Sequence, residues 1–243
     1  MIKKKWPLPF FIAHRGASRW APENTLAALT EAKKRGAKWV ECDVQLSKDH
    51  VPVIFHDAIL SRTAQHPGFL SRMRFQKIQT LDVGSWFSKK FTGERVPTLH
   101  EWLQCCVRLK LCLNLEMKAR TKKQAGLLAK IVLAELEKFT YFNEKKLLLS
   151  SSNLVCLTEV MQDEKKRRCG FITDKKLSEK KCTALFKKNI VSLHQPYQLL
   201  NQRYVAQLHQ HGFRVLAYTV NTMATVRKMK AACVDGVFTD ALF

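Results

Sequence analysis

The sequence predicts an α/β fold built on a parallel sheet, and three observations point there. Short apolar, β-rich runs alternate with amphipathic stretches of helical length from one end of the chain to the other. At 243 residues, 46% apolar and 26% charged, the chain suits one large core, such as a single α/β barrel or sandwich. Acidic and histidine side chains recur at the ends of the apolar runs, where parallel α/β folds gather their chemistry.

Eight strand candidates follow in order, at residues 10–14, 39–43, 111–118, 146–151, 168–173, 190–194, 214–220 and 236–239. Helices fill most intervals. Residues 25–35 and 122–139 carry clear helical periodicity, with Asn24 and Thr121 as their expected N-caps. A further short β run at 51–56 interrupts this rhythm, and roughly forty residues with Pro, Gly and aromatics follow it without sustained periodicity. Residues 58–97 are therefore expected to form a small inserted subdomain or lid inside one domain spanning 1–243, with Trp86, Phe87 and Phe91 as candidate anchors. No linker composition divides the chain.

Lys and Arg total 42 against 20 Asp and Glu, a formal charge of +22, so the protein attracts anions. The basic pairs, among them Lys3 to Lys5 and Lys165 to Arg168, are scattered instead of forming one stripe with interleaved aromatics. That argues against a nucleic-acid partner and leaves transient contact with an anionic membrane open. Eight cysteines show no CxxC pair and no zinc spacing, and are read as mostly buried thiols. The basic start and the short, Pro-interrupted apolar stretch from Trp6 make a poor signal peptide, and no stretch reaches the roughly 18 apolar residues of a membrane span. A cytoplasmic protein is expected.

Glu41 and Asp43 are two apart at the end of the second strand, so they project to one face. Glu116 ends the next long strand at the same rim and adds a third acid. Three carboxylates without cysteine or a histidine cluster suit a hard ion, Mg2+ or Ca2+, better than zinc. Lys118, two residues past Glu116, faces the same side and is placed to contact a phosphate oxygen, as is Arg15. His14 closes the first strand and His56 the short β run, each followed directly by a charged residue, Arg15 and Asp57. A lone strand-end histidine is usually structural; two beside three acids suit acid–base work, because imidazole titrates near pH 6.5 or so. His194 ends the sixth strand and is a possible substrate contact. His50, His66, His100, His209 and His211 lie in loops or helical segments without acid partners at suggestive spacing and are read as surface groups.

The blocks His14-Arg15-Gly16, Pro22-Glu23-Asn24-Thr25, Glu41-x-Asp43, His56-Asp57, Glu116-x-Lys118, Tyr218-Thr219-Val220-Asn221 and Val234-Asp235-Gly236 together resemble the glycerophosphodiester phosphodiesterase family, in that family's order and over almost the whole chain. The endings are most similar to the short, unexported bacterial members. The resemblance implies a (β/α)8 TIM barrel of the phospholipase C-like phosphodiesterase type with a small insertion after the second strand. It implies one divalent metal on Glu41, Asp43 and Glu116, acid–base roles for His14 and His56, and phosphate contacts from Arg15 and Lys118. Asn24 falls in the family's PENT turn, in support of the site. The implied substrate is a glycerophosphodiester, cleaved to sn-glycerol 3-phosphate and an alcohol. Tyr218 stands where many members have Trp and Cys233 where Gly is frequent; both positions bear on headgroup preference.

Two other readings compete. A lysophospholipase D-like enzyme would need an apolar channel near the insertion, which Trp86, Phe87 and Phe91 would permit. A polyanion-binding protein would draw on the +22 charge alone.

Overall fold

The computed structural model describes residues 7–163, 165 and 167–243. The basic start at Lys3 to Lys5, Trp6 and Lys166 of the basic run lie outside the described residues. The strands are β1 (Phe11–Ala13), β2 (Trp39–Leu46), β3 (Pro52–Ile54), β4 (Cys112–Met117), β5 (Leu147–Ser151), β6 (Cys169–Ile172), β7 (Ile190–Pro196), β8 (Arg214–Tyr218) and β9 (Gly236–Thr239). Eight of them pair in parallel in the order β1-β9-β8-β7-β6-β5-β4-β2, and β1 pairs with β2 through Ala13 and Val40 to close a barrel. The TIM barrel is thus the fold, and each of the eight sequence-predicted runs supplies one of its strands. β3, the extra run, folds back antiparallel on the end of β2, Val44 opposite Ile54.

Helices α1 (Leu26–Lys34), α2 (Ser61–Ala64), α3 (Phe75–Ile78), α4 (Leu99–Leu109), α5 (Lys122–Leu136), α6 (Leu154–Met161), α7 (Glu179–Lys187), α8 (Gln202–Gln210) and α9 (Met223–Ala231) lie between the strands. The cap of α1 corrects the expectation. Thr25, not Asn24, accepts the hydrogen bond of the Ala28 backbone N–H, because Asn24 is turned into the left-handed region at φ 58° and its side chain is used elsewhere. Thr121 caps α5 as expected. α4 opens with a capping box between Thr98 and Glu101.

Alternation along the strands sorts the core into two layers. Val40, Cys42 and Val44 on β2 and Leu113, Leu115 and Met117 on β4 face outward and pack with helix residues such as Trp102 and Leu128. Ile12, Trp39, Leu148, Leu216 and Phe238 fill the barrel interior. Above this apolar plug β2 continues with Glu41 and Asp43, so the same inward face that begins with Trp39 ends in carboxylates.

Between β3 and α4 the chain forms α2, α3 and two short 3-10 turns around an apolar cluster of Val53, Phe55, Leu60, Ala64, Leu70, Ile78, Leu81, Val83 and Val96. Leu60, Leu70 and Ile78 are fully buried, each contributing about 2–3 kcal/mol by removal from water. The expected aromatic anchors are not in this cluster. Trp86, Phe87 and Phe91 instead pack edge-on against each other, half-buried, at 5.7 Å between successive ring centres. The buried residues that 58–97 itself supplies to the cluster, Leu60, Ala64, Leu70, Ile78, Leu81, Val83 and Val96, are all aliphatic. Among the described residues no helix is long and apolar enough to cross a membrane.

Candidate active site

β2 and β4 run side by side with Asp43 opposite Glu116 and Glu41 opposite Asn114. This register places donor oxygens of Glu41, Asp43 and Glu116 all within 4.8 Å of one another. Two cations face the three acids. Lys118 Nζ lies 2.6 Å from Glu116 and 3.3 Å from Asp43, and Arg15 Nε lies 3.4 Å from Asp43. Asn24 donates to Asp43 Oδ2 at 2.9 Å, which accounts for its left-handed backbone.

The first βα turn is held by close packing. Gly16 has φ 83°, and a Cβ there would come within 2.7 Å of the Ala28 side chain at the start of α1. The tight turn lets the Arg15 backbone N–H donate to Glu41 Oε2 at 3.0 Å. Glu41 Oε1 is left buried with no hydrogen-bond partner.

Charge in the cluster is unevenly balanced. Burial raises the Asp43 carboxyl, but Lys118 and Arg15 outweigh it and hold the group well below the usual carboxylate range. Burial pushes the Glu41 carboxyl well above its ordinary value, and the neighbouring charges of Asp43 and Glu116 add to this. Glu116 is raised in the same way, with Lys118 opposing. Three carboxylates thus share two cations, one of which, Arg15, also serves Glu23 at 2.8 Å. An orphaned buried oxygen and surplus negative charge on all-oxygen donors are what a hard divalent cation satisfies, so the residues present fit such an ion.

Both sequence-predicted histidines line the same cavity of about 270 Å3, together with Arg15, Glu41, Asn114, Glu116, Lys118, His194 and Tyr218. His14 Nδ1 bonds to Asp240 at 2.7 Å, and its Nε2 lies 3.9 Å from Glu41. His56 Nδ1 bonds to Asp57 at 2.7 Å. Burial lowers the His56 pKa, with Asp43 opposing. Each ring is therefore oriented through Nδ1 by its own carboxylate, which leaves Nε2 as the nitrogen outside that bond.

His194 reaches the rim but is 1% exposed, with Nε2 3.0 Å from Ser192 Oγ, and burial pushes its pKa down to about 3. Gly170 makes room for the ring, since a Cβ there would sit 2.5 Å from Nε2. Burial pushes the Tyr218 phenol up to about 12. Two of the histidines read as surface groups have acid partners distant in sequence. His100 pairs with Glu135 at 2.5 Å and His209 with Asp235 at 2.8 Å, acid partners 35 and 26 positions away that only the folded helices bring close.

Sequence reasoning missed Asp240, although it directly follows the last strand and the strand-end logic applied elsewhere would have found it. Asn114 was also missed, two residues before Glu116 on the same face. Arg62 bonds to both Glu23 and Asp57, a pairing without any local signal.

The fold and site define a barrel enzyme whose C-terminal rim joins a cluster of three carboxylates to two oriented histidines. The glycerophosphoryl diester phosphodiesterase family matches residues 14–242, and the chain belongs to that family. It is 34% identical to a glycerophosphodiester phosphodiesterase of Caldanaerobacter subterraneus over 94% of this chain and 93% of that protein. It is 28% identical to one of Bacillus subtilis over 94% and 82%. A phosphodiesterase of Oleispira antarctica, solved in complex with the product sn-glycerol-3-phosphate, matches with a TM-score of 0.90 and 33% identity, over 97% of this chain and 94% of that one. The enzyme class is accordingly that of a glycerophosphodiester phosphodiesterase.

Proposed function

We propose that the chain hydrolyses glycerophosphodiesters to sn-glycerol 3-phosphate and an alcohol, with His14 and His56 as its acid–base pair. The observation that carries this reading is the matched arrangement of the rings. Each has its Nδ1 fixed 2.7 Å from a carboxylate, and both border the cavity that holds the acidic cluster. One neutral imidazole removes the proton of the attacking hydroxyl, from water or the substrate's own glycerol. The other, protonated, gives its proton to the departing alcohol oxygen, so the P–O bond breaks without expelling an alkoxide. Burial favours neutral His56, which suits it to accept a proton. Arg15 and Lys118 offset the phosphate charge.

Glu41, Asp43 and Glu116 would hold one Mg2+ or Ca2+. Such an ion, when bound, would supply electrostatic stabilisation of the phosphate's negative charge. His194 and Tyr218 shape the cavity wall, and Asn24 keeps Asp43 in place. A small diester fits better than a lysophospholipid, because Trp86, Phe87 and Phe91 are not among the residues around this cavity. We take residues 58–97 as an inserted subdomain within one barrel domain. Eight free thiols are consistent with a cytoplasmic setting.

The test is release of glycerol 3-phosphate from glycerophosphocholine, after EDTA and after restoring Mg2+ or Ca2+, in the wild type, His14→Ala and His56→Ala. Metal-restored turnover, lost in both variants, is expected. Full activity in both variants would overturn the acid–base assignment, and turnover of lysophosphatidylcholine alone would overturn the substrate.

A further inference from the structure

The link between the two histidine loops runs through a side chain outside the reacting set. Arg62 lies in α2, within the segment after β3. Its Nε donates to Asp57 Oδ2 at 2.6 Å, while the other oxygen of Asp57 takes His56 Nδ1 at 2.7 Å. Its two terminal nitrogens donate to both oxygens of Glu23 at 2.7 Å. Glu23 Oε1 also accepts from Arg15, whose backbone N–H holds Glu41. A continuous line of hydrogen bonds therefore joins His56 to Glu41 through Asp57, Arg62, Glu23 and Arg15.

Arg62 lines neither the reaction cavity nor the adjoining one of about 500 Å3 bounded by His14, Glu23 and Asp240. Its side chain is 44% exposed, so as a bare surface ion pair it would contribute little to stability. Yet all three of its guanidinium nitrogens are engaged, on two carboxylates from separate loops. A planar fork satisfies that geometry and a point-charge ammonium does not.

We propose that Arg62 is a positioning residue for catalysis: it clamps Asp57 to Glu23, and so fixes the His56 ring relative to the Arg15–Glu41 side of the site. The inference rests on the acid–base role proposed for His56. Without the fork, Asp57 keeps its charge but loses its fixed direction, and His56 loses a single ring orientation and tautomer. Misplacement on the order of 1 Å costs roughly a hundredfold in rate, with substrate binding largely spared.

The experiment compares wild type, Arg62→Gln, Arg62→Lys, His56→Ala and the double variant His56→Ala/Arg62→Gln on glycerophosphocholine, with thermal unfolding of each. Expected for Arg62→Gln is a kcat lower by about tenfold to a hundredfold, a KM within about threefold, and little change in melting temperature. Arg62→Lys should recover only part of the loss, and Arg62→Gln should cost nothing further in the His56→Ala background. Losses that multiply in the double variant, or a wild-type kcat in Arg62→Gln beside an inactive His56→Ala, would overturn the clamp while leaving the acid–base reading intact. Full activity in His56→Ala would overturn that reading instead. If Arg62→Gln does not fold, Glu23→Gln cuts the far side of the same fork, and its additivity with His56→Ala decides.

Discussion

Asp240 receives Nδ1 of His14 at 2.7 Å across 226 positions of sequence. Ser18 and Asn221 also donate to this carboxylate, and its pKa is held down at about 2 although burial opposes, so it stays charged beside the ring. Asp240→Asn keeps the shape but offers His14 an amide that can stabilise the wrong tautomer. A kcat lower by about 10²- to 10⁴-fold, with KM nearly unchanged, is expected in the glycerol 3-phosphate assay. A loss in KM alone would show that Asp240 serves binding instead.

Surplus charge among Glu41, Asp43 and Glu116 should be measurable without turnover. Mg2+ or Ca2+ is expected to raise the melting temperature of the wild type in a concentration-dependent way and to leave Glu41→Gln nearly unmoved. Without metal, Glu41→Gln should be at least as stable as wild type, since the substitution replaces a buried carboxyl whose charged form burial and its acidic neighbours disfavour. An equal metal response in both proteins would place the ion elsewhere.

His194 gives a pH dependence of stability with a definite sign. Its folded pKa of about 3 lies below the ordinary 6.5, so the unfolded chain binds more protons between those values. Stability should therefore be unaffected by this group above pH 6.5 and fall as pH drops toward 3, by up to about 1.4 kcal/mol per pH unit. Urea unfolding from pH 7 to pH 4 checks this. His194→Gln should flatten the slope, and an unchanged slope would assign acid lability to other groups.

Cys233 is exposed and sits in the left-handed region at φ 61°, after α9. Cys233→Gly relieves that conformation and should stabilise the protein by about 1 kcal/mol, or about 2–4 °C in melting temperature. No gain would mean that the bend is relaxed for cysteine as well.

The barrel was legible because each strand is a short apolar run bounded by helical periodicity, and the candidate site because its side chains stand in or just past such runs. His14, His56 and Lys118 come just past their strands and Glu116 is next to last in β4, whereas Glu41 and Asp43 lie inside β2, which runs on past the expected end at 43 to Leu46. What stayed hidden depends on pairs distant in sequence. Nothing near Glu23 announces Arg62, and nothing near His100 announces Glu135, since those meetings are set by how loops and helices cross. Asn24 was the expected cap, but Thr25 takes that place, because Asn24 turns inward to Asp43.

The seam of the barrel lies where β1 meets both β2 and β9. His14 sits on one side of that seam and Asp240 on the other, so this contact has a very large sequence separation and forms only when the ring of strands shuts. In a refolding experiment the return of turnover would therefore report completion of the slowest, least local pairing, whereas helix signals would return earlier. Catalysis in this chain doubles as a readout of closure.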